Sequence, residues 1–189
     1  KLAKSLLNYG AAAQTLFDYH TDELANENLL PEDKVIFDVD FSRYEHSLNK
    51  NDNENGIKWY GSSLVLKSDT CVRDYFSLDA SSQINNYTFE LGESNATKLE
   101  PKQRIINGET YYYVEIPNIK AQNLDKGIEV NVRNQAGENI IKLKYNAFSY
   151  AYSMSKKSTT DANTKQAMKA LYQYWLDAKT YVDNKNKNV

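Results

Sequence analysis

Arg104-Ile105-Ile106-Asn107-Gly108-Glu109-Thr110-Tyr111-Tyr112-Tyr113-Val114 decides the fold class. Asn-Gly between two β-prone runs is the strongest short-range hairpin signal, because both central residues of a type I′ turn need positive φ and these two tolerate it best. The same period of two recurs outward along the chain. Ile128, Val130 and Val132 alternate with Glu129, Asn131 and Arg133, and after a turn at 134–137, Ile141, Leu143 and Tyr145 alternate with lysines. Upstream lie Tyr87, Phe89 and Leu91, the runs 59–66 and 71–76, and Val35, Phe37, Val39 and Phe41 alternating with Ile36, Asp38, Asp40 and Ser42. Roughly eight short strands at this spacing predict an antiparallel β-sandwich of immunoglobulin-like architecture. Its interior is expected to hold Val35, Phe37, Val39, Leu64, Leu66, Val114, Val130, Val132, Leu143 and Tyr145.

Both ends change to a helical period. Leu2, Leu6, Tyr9, Ala13 and Leu16 form one stripe over 1–18, and Met168, Leu171, Trp175, Ala178 and Val182 another over 161–183, with a shorter helix at 147–155. The two long helices are expected to pack on each other or on the sandwich. Gly10 to Ala13 leave a thin surface on the first, suited to a bulky ring such as Trp175 or Tyr172. Lys4–Phe17 lies over Lys169–Val182 without a gap, with Lys, Leu, Tyr, Ala and Thr coinciding. That likeness fits either a shared amphipathic pattern or a tandem architecture of helix-bounded modules. The predicted organisation is a helix and linker over 1–30 that continues from a preceding module, a sandwich over 31–146, a helical pair over 147–183 and a frayed tail over 184–189, all in one structural unit.

Composition narrows the function. The 189 residues carry 23 Lys plus Arg against 25 Asp plus Glu, a formal charge of -2, which argues against a nucleic-acid backbone as the main partner. Nothing approaches the length of a membrane span, so no membrane insertion is expected. A single Cys excludes an internal disulfide and a thiol-rich metal centre. Tyr occurs 15 times against 6 Phe, and Asn 21 times, a composition suited to a solvent-facing β protein.

Asn8-Tyr9-Gly10-Ala11-Ala12-Ala13-Gln14 followed by Thr21-Asp22-Glu23-Leu24-Ala25-Asn26 resembles a segment recurring in large secreted proteins of Gram-positive gut anaerobes. Gly61–Thr70, Tyr75-Phe76, Tyr113–Ile119 and Phe148–Ser153 extend the resemblance along nearly the whole chain. It implies an accessory module of a secreted or cell-surface protein, whose partners are neighbouring modules of the same polypeptide. It carries no catalytic residues over to this chain.

The candidate sites are few. His20, His46 and Cys71 have no spacing that joins a thiol to a base and are read as surface histidines and a core-filling cysteine. Asp38 and Asp40, with Glu45 nearby, have the residue types of a glycosidase pair but are read as a solvated strand face beside Arg43. Asn49 to Gly56 mimics the start of a calcium loop, yet Asn replaces the acidic ligands and Ser62 stands where the closing Glu belongs. No metal, cofactor or catalytic activity is therefore expected, and the sequons at Asn86 and Asn95 are read as chance. The remaining candidates are aromatic. Trp59 and Tyr60 follow the Asn-rich loop, while Tyr111 and Tyr113 share one strand face because Tyr112 is in phase with Ile116 on the core side. They are read first as a cross-strand ladder that stiffens the sheet. As a ligand site, Trp59, Tyr60, Tyr111 and Tyr113 would suit a polysaccharide or host glycan, whose pyranose faces stack on aromatic rings.

Overall fold

A computed structural model describes residues 1–50, 56–66, 70–92 and 97–187. It is mainly antiparallel β, with nine strands in two sheets, an N-terminal helix and C-terminal helices. The described chain divides into two compact units, one formed by Lys1–Glu45, Lys120–Asp125 and Ala151–Val189, the other by His46–Ile119 and Lys126–Tyr150. Residues 31–45 thus belong with the helices, so the expected boundary at 30/31 moves to 45/46 and the single expected unit becomes two.

The sandwich unit holds all nine strands. β1 (Ser47–Lys50), β9 (Asn139–Tyr145), β8 (Ile128–Arg133), β4 (Thr88–Leu91) and β5 (Thr97–Leu99) form one sheet in that order. β2 (Ile57–Leu66), β3 (Thr70–Leu78), β7 (Glu109–Ile119) and β6 (Lys102–Ile106) form the other. The sequential pairs β2–β3, β4–β5, β6–β7 and β8–β9 alternate between the sheets, and every pairing is antiparallel. The hairpin signal at Asn107-Gly108 is realised, with φ of 52° and 84° at the two residues joining β6 to β7. Alternation then sorts the side chains. Val72 and Phe76 of β3 and Val114 and Ile116 of β7 bury against Phe89, Val130, Val132, Ile141 and Leu143 of the facing sheet, with the Phe76 and Phe89 rings 5.1 Å apart. Burial of this apolar surface, worth about 25 cal/mol per Å², is the main force holding the layers together. Val114, Val130, Val132, Leu143 and Tyr145 are buried as expected, while Leu64 is half-buried at the edge of the core.

The helical unit corrects three expectations. Val35 to Phe41 is not a strand: it lies beside α3 (Ala162–Lys187), with Val35 64% and Phe37 42% exposed and Val39 half-buried outside the sandwich. Lys169 Nζ donates to Asp38 at 2.5 Å and Gln173 Nε2 to the Val35 carbonyl at 3.3 Å, while Phe37 and Phe41 set their rings edge-on to Tyr172. Period two in the sequence does not by itself show that a segment finds a strand partner. α3 also continues to Lys187, through residues 184–187 of the tail expected to fray over 184–189, of which 188 and 189 lie outside the described residues.

The third correction concerns α1 (Leu2–Phe17). α1 and α3 pack antiparallel: Lys1 pairs with Asp177, and Tyr9 stacks on Tyr174 at 5.9 Å with planes 2° apart. Tyr9 and Tyr174 are equivalent in the internal likeness of the two helices. Burial pushes the Tyr9 phenol up to about 12, with the neighbouring Tyr174 adding to the effect. The buried face of α1 is not the leucine stripe but Ser5, Asn8, Ala11 and Ala12, while Leu6 is 46% exposed. Small side chains let a neighbour approach the backbone closely, which Leu would prevent.

Gly10 does not receive Trp175 or Tyr172. A Cβ there would lie 3.1 Å from the Cβ of Ala25, in the loop that folds back over α1. Two amides hold that loop. Gln14 Nε2 donates to the carbonyls of His20 and Glu23 at 3.0 Å, and Gln14 Oε1 accepts from Ala25 N at 2.7 Å. Asn8 Nδ2 donates to the Asp33 carbonyl at 2.7 Å, and Asn8 Oδ1 accepts from Asn26 Nδ2 at 2.9 Å. Gly10→Leu should push the loop off the helix and lower stability by about 1–3 kcal/mol. Urea denaturation of the two proteins measures this, and an unchanged midpoint would show that the contact at Ala25 carries no load.

Candidate functional site

The outward face of the four-stranded sheet concentrates the aromatic candidates. Tyr75 and Tyr113 are direct cross-strand partners, as are Arg104 and Tyr111, and Arg73 and Glu115. A register shift between Trp59 and Gly61 inserts Tyr60 as an extra residue, and its ring lies 4.3 Å from that of Tyr111. Tyr75 and Tyr113 lean together at 5.4 Å, with the Arg73 guanidinium 5.0 Å above Tyr113. The polar tips are tied down: Tyr111 OH donates to Glu109 at 2.8 Å, Arg104 Nη1 to Tyr75 OH at 3.0 Å and Arg73 Nε to Glu115 at 2.6 Å. The Glu109 carboxylate raises the Tyr111 pKa, since ionising the phenol would break that bond and set two anions together.

Of the four sequence candidates, Tyr60, Tyr111 and Tyr113 share this face and Trp59 does not. Trp59 pairs with Phe76 on the inward side and lies 4.7 Å from the His46 ring at a tilt of 56°, against the core. Tilted packing covers the rings unequally: Tyr111 is 7% exposed and Tyr60 57%. The tyrosines form the expected ladder, with Tyr60 as its solvent-facing end. Gly61, the partner of Tyr75, leaves open space where a side chain would stand. The sequence reading missed Tyr75, Arg73 and Arg104. Only the β3–β7 and β6–β7 registers bring them to Tyr113 and Tyr111.

The candidate acids are engaged otherwise. Asp38 bonds to Lys169, and Asp40 accepts from Ser42 N at 2.8 Å and Ser42 Oγ at 2.9 Å. Those bonds hold both carboxyls below their usual pKa, the reverse of what a general acid needs. Arg43 turns to the Tyr44 and Tyr172 hydroxyls. His20 abuts Tyr19 in the turn after α1, and His46 lies between Trp59 and Tyr145. Cys71 is buried on the outward side of β3, opposite Val65 and away from the inward phase of Trp59. The calcium-like stretch lies partly outside the described residues, as does the second sequon. Among the described residues no three His, Cys, Asp or Glu side chains could hold a metal ion, and no helix is long and apolar enough to cross a membrane.

One titratable group stands apart. Asp74 is 1% exposed, on the inward phase of β3 between Val72 and Phe76. Its Oδ1 accepts the Ser62 hydroxyl, whose oxygen accepts Trp59 Nε1–H at 3.2 Å. Burial pushes the Asp74 carboxyl up to about 7, against the lowering effect of the Ser62 bond. Since the folded value lies above the unfolded value of about 3.9, folding favours the protonated form. This contribution is complete below about pH 4 and is lost as pH rises through about 7. Thermal unfolding should therefore give a lower Tm at pH 8 than at pH 5 on account of this group, and Asp74→Asn should narrow the gap by raising the pH 8 value. An Asp74→Asn protein with the wild-type gap would place the pH dependence elsewhere.

Compared with protein-family models, curated proteins and solved structures, the chain matches none.

Proposed function

We propose that this chain is a non-catalytic interaction module of an extracellular multidomain bacterial protein, with the tyrosine face of the four-stranded sheet as its contact surface. The carrying observation is the make-up of that face: Tyr60 is 57% exposed with its ring 4.3 Å from Tyr111, Tyr113 is half-buried beside Tyr75, and the buried Tyr75 and Tyr111 have their hydroxyls bonded to Arg104 and Glu109. A solvent face built only to be wetted would carry short polar and charged side chains. Rigid tyrosines offer contact area at low entropic cost, which is why they are favoured at recognition surfaces. The secreted setting and the neighbouring modules as partners rest on the sequence resemblance. The low carboxyl pKa values of Asp38 and Asp40 support a non-catalytic role.

A second reading, a carbohydrate-binding module, draws on Tyr60 alone. Its exposed ring beside the space over Gly61 would let a pyranose stack while Glu109 or Arg104 bonds the hydroxyls.

Arrays of bacterial, plant and host glycans, probed with the chain and with Tyr60→Ala, separate these readings. Binding lost on Tyr60→Ala selects the carbohydrate reading, and absence of binding leaves the protein–protein reading in place. Turnover of a glycan, peptide or ester that disappears on Asp38→Ala or Asp40→Ala would overturn both.

A further inference from the structure

Both methionines of the chain, Met154 near the end of α2 (Ala147–Lys156) and Met168 in α3, line one pocket of the helical unit. Phe41 and Ala151 complete its apolar wall, and Lys165 and Lys169 stand at the rim, one turn apart on α3. Met168, Phe41 and Ala151 are buried, whereas Lys165 is exposed and Lys169 half-buried, so the cavity is apolar inside and cationic at its mouth. Its volume is about 160 Å³, and it is open on one side. An apolar cavity of about 150 Å³ is known to hold a benzene ring. Methionine walls adapt to an inserted group better than branched side chains do, because the thioether is unbranched and polarisable. The two lysines are not equivalent. Lys169 Nζ is satisfied by Asp38, whereas Lys165 makes no ion pair among the described residues.

We propose that this pocket binds a small monocarboxylate with an aryl or branched-alkyl body, the body between Met154 and Met168 and the carboxylate on Lys165. The site is independent of the tyrosine face. An apolar group alone would gain from burial but leave the Lys165 charge unused, and a dianion would meet Asp38 beside Lys169. A single carboxylate on a body of benzene size meets both conditions. The attraction to an exposed ammonium is modest and screened by salt, so the body supplies most of the affinity and Lys165 the preference for an acid.

The test uses the whole chain labelled with 13C at the methionine methyls, which gives two signals that Met154→Leu and Met168→Leu assign. Phenylacetate titrated at pH 7 should shift both signals along one saturable curve. The neutral analogue 2-phenylethanol should bind about two- to five-fold more weakly, the worth of one exposed ion pair. Lys165→Gln, a change at an exposed position, should bring phenylacetate down to the alcohol's affinity and leave the alcohol unchanged. Methyl signals unmoved up to about 20 mM phenylacetate would overturn the proposal. So would equal binding of acid and alcohol, or an acid preference that survives Lys165→Gln.

Discussion

Antiparallel pairing of β3 with β7, residue against residue from Phe76↔Tyr112 to Val72↔Ile116, fixes both faces of the four-stranded sheet at once. Successive side chains must point to opposite sides, so one register sends Val72, Phe76, Val114 and Ile116 inward and Arg73, Tyr75, Tyr113 and Glu115 outward. A slip by one residue would bury the arginine and glutamate and expose the core. The buried apolar face therefore sets the geometry of the outer tyrosine face. Asp74 is the cost of the same rule, since its phase leaves it no route to water.

The helical unit is built on a different constraint, close approach. Ser5, Asn8, Ala11 and Ala12 make the buried side of α1, and Asn8 and Gln14 use their amides to hold the returning loop. The residues that carry the sequence resemblance thus have structural tasks: Gly10 admits Ala25, Gln14 bonds its backbone and Asn8 bonds Asn26. Segment 35–41 finds its apolar partner in Tyr172 of α3, and Lys120–Asp125 is anchored through Asp125, which accepts from Trp175 Nε1 and Lys179 Nζ.

Charge is distributed with the same economy. The exposed Asp38 and Asp40 sit beside donors that hold their carboxyls below the usual range, while Asp74, fully buried, has a hydroxyl partner and a raised pKa. The tyrosine face and the methionine pocket differ in the same terms. In one, the hydroxyls of Tyr75 and Tyr111 are already bonded; in the other, Lys165, which makes no ion pair among the described residues, borders an apolar hollow. Contact area suits the first to a surface and enclosure suits the second to a small molecule.

The class of fold is legible along the chain: Asn107-Gly108, the alternation at 128–133 and 141–145, and the helical stripe from Met168 to Ala178 all read locally, because turn chemistry and side-chain period are local properties. The local period also places Tyr111 and Tyr113 on the outer face. Which segments find a strand partner is settled by packing between distant parts of the chain. Val35–Phe41 does not, whereas Ser47–Lys50, which no alternation marks, pairs with β9, and hydrogen-bond pairing is a property of two segments, not of one. The same holds for Trp59. One inserted residue at the bulge turns Trp59 inward and Tyr60 outward, and that choice depends on Phe76 and Tyr75 of the neighbouring strand. The long-range pairs Tyr75–Tyr113 and Asp74–Ser62, and the meeting of Met154 with Met168, join residues far apart in the chain. No local period encodes them, because the packing that joins them is settled only when the whole unit has excluded water.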